Sequence, residues 1–121
     1  MKLEELNVYR LSFEMADRIW DIVTGWDYFA KDTVGKQLVK AADSVAANLS
    51  EGFGRYHYRE NKNFSYYARG SLYETKTWLM KAHNRKLIET ENFNSYIRCI
   101  DDIGIKLNNY IKSIGKTNPP E

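Results

Sequence analysis

Three observations predict an all-α protein, an antiparallel up-down-up-down four-helix bundle. The only prolines of the 121 residues are Pro119 and Pro120, so nothing before them forbids long helices. Four stretches repeat apolar residues in steps of three and four, the spacing that turns one helix face toward a core. The joints between them are short, which makes consecutive helices antiparallel neighbours.

Helix 1 is predicted over residues 7–25, with Val8, Leu11, Met15, Ile19, Ile22 and Trp26 on its inner side. Gly25 and the following WDYFAKD interrupt it, and Asp32 is a suitable N-cap for helix 2, residues 32–53. Helix 2 has two adjoining stripes, Val34, Leu38, Ala41, Val45 and Asn48 beside Val39, Ala42, Ala46, Leu49 and Phe53, the pattern of a central helix. Its alanines permit a close neighbour. Helix 3, residues 59–85, points Phe64, Tyr67, Ala68, Ser71, Leu72, Thr75, Leu79 and Ala82 inward. Thr90 fits the N-cap of helix 4, residues 90–115, whose seam is Phe93, Ile97, Ile100, Ile103, Leu107, Tyr110 and Ile114. Residues 1–118 form one domain, and 119–121 are expected to be a disordered tail.

Composition narrows the function. A lone cysteine, Cys99, excludes an intrachain disulfide, and MKLEELNVYR has acids where a secretory signal has an apolar run, so a cytoplasmic protein is expected. No window is apolar for the ~18 to 20 residues that a membrane span needs. Net charge is +2, yet residues 53–70 hold Arg55, Arg59, Lys62 and Arg69 against the single Glu60, leaving the remainder at −1. Positive charge is concentrated in one place.

No catalytic constellation emerges. Di-iron bundles need Glu-x-x-His pairs, and the residues three before His57 and His83 are Gly54 and Met80. Two histidines and one cysteine lack zinc spacing. Gly115-Lys116-Thr117 lacks the earlier glycine of a phosphate loop, Tyr110 standing there. No arginine precedes either histidine by five to seven residues, which excludes one helical ribonuclease motif. The chain reads as a non-enzyme without a cofactor or metal.

The segment NLSEGFGR, residues 48–55, could cradle a phosphate, but such loops join a strand to a helix, and here the glycines follow a helix. Gly52 and Gly54 read as close-packing and helix-ending residues, with Gly54 suited to a left-handed C-terminal closure. Glu51 and Arg55 stand four apart as an ion pair. Ser44, Asn48, Ser71 and Glu74, with Arg55, are expected to satisfy one another between helices 2 and 3 and so fix their register.

QLVKAADSVAANLSEGFGR (37–55) followed by FSYYARGSLYETKTWL (64–79) resembles the signature of the bacterial four-helix-bundle proteins encoded in intervening sequences of 23S rRNA genes, the S23 ribosomal protein family. The match includes Gln37, Leu38, Ala41, Ala42, Ser44, Asn48, Glu51, Gly52, Gly54, Arg55, Phe64, Ala68, Gly70, Ser71, Leu72 and Glu74, while Lys40 stands where arginine is usual. The resemblance implies a homopentamer. It also implies kinship with accessory variability proteins of diversity-generating retroelements, pentamers that bind a reverse transcriptase and nucleic acid. It does not imply a constituent of the ribosome.

Two functions follow. In the first, the chain binds nucleic acid, RNA before DNA, through Arg55, Tyr56, Tyr58, Arg59, Lys62 and Arg69, bases that neutralise phosphates interleaved with rings that stack. A ring would multiply weak contacts by avidity. In the second, the chain is a scaffold for a protein partner such as a reverse transcriptase, with Tyr66, Tyr73 and Met80 on helix 3 and Phe13 and Trp20 on helix 1 forming subunit contacts.

Overall fold

The computed structural model describes residues 1–116, and among these the four long helices are α1 (Asn7–Val23), α2 (Lys36–Phe53), α3 (Tyr58–Asn84) and α4 (Thr90–Ser113), with no strand. The predicted tail, residues 119–121, and the last two residues of the predicted domain lie outside the described part. α1 packs on α2, α2 on α3, α3 on α4, and α4 returns to α1, so the chain closes an up-down-up-down bundle. No helix among the described residues is long and apolar enough to cross a membrane.

The seams read from the sequence build the core. Met15 and Ile19 of α1, Leu38, Val45 and Leu49 of α2, Leu79 of α3 and Ile103 and Leu107 of α4 are all buried. α2 and α3 make the most extensive contact, and the reason is local. A Cβ built on Gly52 would stand 2.8 Å from Asn61 Oδ1, 2.9 Å from Phe64 Cβ and 3.0 Å from the Asn61 backbone oxygen. Only a residue without a side chain lets the two backbones approach this closely.

Several helix ends differ from expectation. The chain turns helical again at Tyr28–Ala30, passes through a five-residue π turn at Lys31–Gly35 and continues as α2. The N-cap is Asp27, whose carboxylate accepts from the Ala30 amide at 2.9 Å. Asp32 lies one turn inside and instead faces Lys36 at 3.4 Å. Thr90 is the first residue of α4 and Glu89 occupies the cap position; the Thr90 hydroxyl is 3.2 Å from His83 Nε2. Gly54 ends α2 with φ −78°, right-handed and not left-handed, because the Gly54 and Arg55 amides simply extend the last turn to Ser50 and Gly52.

The left-handed closure occurs one helix later, on a lysine. Lys86 has φ 62°, its amide donates to His83 O at 3.0 Å and the Leu87 amide donates to Ala82 O at 2.9 Å, the paired bonds that close a helix C-terminus. A side chain in this region is strained, whereas glycine is not. Lys86→Gly is therefore expected to stabilise the protein by about 0.5–1 kcal/mol, less than the full relief because glycine also frees the unfolded chain; urea unfolding measures it.

The polar network expected between α2 and α3 does not form. Ser44 donates to Lys40 O at 2.8 Å and Asn48 to Ser44 O at 2.9 Å, each bond lying within α2. Glu74 accepts from Trp78 Nε1 at 3.2 Å, and Arg55 is occupied by Glu51 at 2.8 Å. Gln37, Gly70 and Glu74 are exposed, and Ser71 is half-buried. The buried polar link joins α3 to α4 instead: Asn61 Nδ2 donates to Tyr110 Oη at 3.3 Å, and the Ser65 hydroxyl donates to Asn61 Oδ1 at 3.4 Å. Burial raises the Tyr110 phenol pKa, which the Asn61 bond partly counters.

Candidate nucleic-acid interface

Antiparallel connectivity gathers three parts of the chain at one end of the bundle: its amino terminus, the α2–α3 joint and the end of α4. Met1 and Leu6 stand beside Tyr110 and Ser113, and Gly115, at φ 76°, lies against the Tyr58 ring. The other end holds the α1–α2 and α3–α4 joints, where Phe29 and Thr33 meet Arg85 and Leu87.

Every residue from Gly54 to Glu60 is exposed. Five of the six predicted contact residues cluster at this tip: Arg55, Tyr56 and, at the start of α3, Tyr58, Arg59 and Lys62. Tyr56 meets His57 at a steep angle, ring centroids 5.0 Å apart, and at 90% exposure its ring is accessible to a base. Tyr58, 43% exposed, rests on Gly115 and offers less. Arg55 pairs with Glu51 and lies 4.9 Å above the Phe64 ring, which fixes its guanidinium at the joint. Among the described residues neither Arg59 nor Lys62 has an ion-pair partner.

One contributor was not read from the sequence. His57 occupies the N-cap of α3 without a side-chain capping bond, so the first amides of a 27-residue helix open toward solvent among these bases. A helix start of this kind attracts anions through its free N–H groups and dipole. The signal was present: positions 56–58 read Tyr-His-Tyr, with none of the good capping residues.

Arg69 stands apart. It lies ten residues beyond Arg59 on α3, about 15 Å along the helix, donates to Asn108 Oδ1 at 3.0 Å and covers the Tyr66 ring at 4.8 Å. It lines a groove of about 310 Å³ between α3 and α4, together with Tyr73, Lys76 and Ile105. Tyr67, expected to pack inward, is 59% exposed and meets Phe64 edge-on, since the buried stripe of α3 runs through Asn61, Ser65, Ala68 and Leu72 instead.

A second groove, about 320 Å³, lies between α1 and α2 and is lined by Tyr9, Phe13, Asp17, Asp43, Ala46 and Ala47. Burial, and then the nearby Asp17 charge, raises the Asp43 pKa above the ordinary 3.8. The folded state therefore holds this proton more tightly than the unfolded chain. The resulting stability is complete below pH 3.8 and is lost as pH rises through the folded value. Asp43→Asn is expected to stabilise the separated subunit at pH 7 and to change little at pH 3, as read from urea unfolding at both values.

Four antiparallel helices closed on one core define the class as a four-helix-bundle protein. The family model described as 23S rRNA-intervening sequence protein matches residues 4–109, and the chain belongs to that family. A crystal structure of a protein of unknown function from the S23 ribosomal protein family of Bacteroides thetaiotaomicron superposes with TM-score 0.79 at 23% identity, covering 88% of this chain and 96% of that one. At that identity the likeness shows the shared fold. No curated protein matches the sequence.

Proposed function

We propose that this protein is a non-enzymatic, cytoplasmic nucleic-acid-binding oligomer, a homopentamer as the family resemblance implies, whose subunits each present the α2–α3 tip to RNA. The observation that carries the reading is the coincidence at one exposed tip of Arg59 and Lys62, free of ion pairs among the described residues, the open Tyr56 ring and the uncapped start of α3. Phosphates meet the cations and amides, and an unpaired base stacks on Tyr56. Nothing at the tip reads base edges in a fixed pattern, so the binding is weakly sequence-dependent and RNA is favoured over DNA through its unpaired loops.

The test is a titration of labelled single-stranded RNA between about 50 and 200 mM salt. Binding that weakens steeply with salt supports the proposal; absence of binding at the lower salt overturns it. The alternative, a scaffold for a protein such as a reverse transcriptase, then takes its place.

A further inference from the structure

The α1–α2 and α3–α4 grooves lie on opposite sides of the bundle, and Asp17 and Asp43 in the first are opposite in charge to Arg69 in the second. On α1, Phe13 and Trp20 are 51% and 55% exposed and seven residues apart, with Asp17 between them in sequence; Phe13 and Asp17 share a groove with Asp43 of α2, whereas Trp20 lies beside Lys36 and Lys40. On α3, Tyr66 and Tyr73 are 45% and 65% exposed, also seven apart, with Arg69 between them. Around Phe13 the first face is aromatic and acidic; the second is aromatic and carries Arg69 and Lys76, the latter paired with Asp101 at 3.1 Å.

Their levels also agree. α1 and α3 run in the same direction and begin at the same end. At 1.5 Å per residue, Phe13, Asp17 and Trp20 lie about 9, 15 and 20 Å from the start of α1. Tyr66, Arg69 and Tyr73 lie about 12, 17 and 23 Å from the start of α3. Asp43 is about 15 Å from the same end, counted back from Phe53. Each partner falls within one helical turn of its counterpart.

We infer that the α1–α2 groove of one copy receives the α3–α4 face of the next, with Arg69 entering between Asp17 and Asp43 and the paired aromatics closing above and below it. The contact joins two different surfaces, so it propagates around a ring instead of ending at a dimer. A second copy is the favoured occupant because the chain itself supplies the opposite charge at the matching height. Arg69 is suited to the exchange: its bond partner is the neutral Asn108, not a carboxylate. Arrival of a guanidinium would also relieve the cost of the crowded Asp43 carboxylate. This inference deepens the oligomeric part of the proposed function and assigns Arg69 to assembly; it is independent of the RNA ligand.

The test is charge exchange followed by light scattering at micromolar concentration, with helicity checked by circular dichroism. Wild type is expected to be oligomeric, whereas the Asp17→Arg/Asp43→Arg and the Arg69→Glu variants fall to the 14.2 kDa of one chain. The triple variant, with both faces reversed, should regain the wild-type mass. Should the double aspartate variant lose its helicity, Arg69→Glu alone and its equimolar mixture with Asp17→Arg carry the test: two monomers that assemble on mixing support the inference. A monomeric wild type, an Arg69→Glu variant that keeps the wild-type mass, a folded triple variant that fails to regain it, or a folded mixture that stays monomeric would overturn it. RNA titration of the same samples separates the two proposals, because a failed ligand leaves these masses unchanged.

Discussion

Gly52→Ala is expected to destabilise the protein severely for the addition of a single methyl group. The added carbon would meet the Asn61 side chain, Phe64 Cβ and the Asn61 backbone oxygen, all within 3.0 Å. Two of these cannot swing away, since one is backbone and another is the rigid base of a side chain. Relief requires α2 and α3 to separate at the contact that holds the bundle most extensively. Overpacking of this kind costs about 2–3 kcal/mol, which in a domain of this size lowers the thermal midpoint by roughly 10 °C. Gly70→Ala is the matched control. Its Cβ would have nothing within 4 Å, so in a helix interior it should stabilise by up to about 1 kcal/mol. Thermal unfolding in which the two variants shift alike would refute the packing account of Gly52.

Reversing Arg59 and Lys62 to glutamate should have the largest effect on RNA binding. Two phosphate contacts are lost in each subunit, and two negative charges take their place beside an anionic chain. For single strands each contact contributes about −0.7 to the slope of log affinity against log salt, so the slope should flatten by about 1.4 per engaged subunit. Affinity at about 50 mM salt should drop by two orders of magnitude or more, with the assembled mass and helicity unchanged. Lys81→Glu, exposed near the opposite end of α3, is the control and should bind as wild type. Equal binding by the double reversal and the control would remove the tip from consideration.

The bundle was legible in the sequence wherever apolar residues alone decide the inner face. The seam of α4 from Phe93 to Ile114 and that of α1 from Val8 to Trp26 needed nothing else, and all their members are buried or half-buried. α3 was harder because polar residues complete its buried stripe. Asn61 and Ser65 lie on the same line as Ala68, Leu72, Thr75 and Leu79, but an asparagine among lysine and asparagine reads as solvated. Tyr67 was placed inward for the converse reason, its large ring outweighing a position on the flank. Ser44 and Asn48 lie beside the core yet bond back to their own helix, a choice that residue type does not reveal.

The tip was only half legible. Local charge density identified the basic segment, but α3 carries bases along one line from Arg59 through Lys62 and Arg69 to Lys76. Whether each is free, stacked or paired depends on α4. Asn108 and Asp101 of α4 engage Arg69 and Lys76, and no residue near these bases in sequence foretells that.

The two ends of a subunit are chemically unlike. One bears the Arg55–Lys62 tip, whereas the other exposes Tyr28 and Phe29, each at 77%, above the α3–α4 turn. Copies set side by side with their axes aligned would form a two-faced disc, with the Arg55–Lys62 tips on one side and, on the other, an aromatic crown set among the exposed Lys31, Arg85 and Lys86. Such an object has a top and a bottom. Whatever settles on the aromatic side would not compete with a polyanion on the tip side, and holding both would fix their relative orientation.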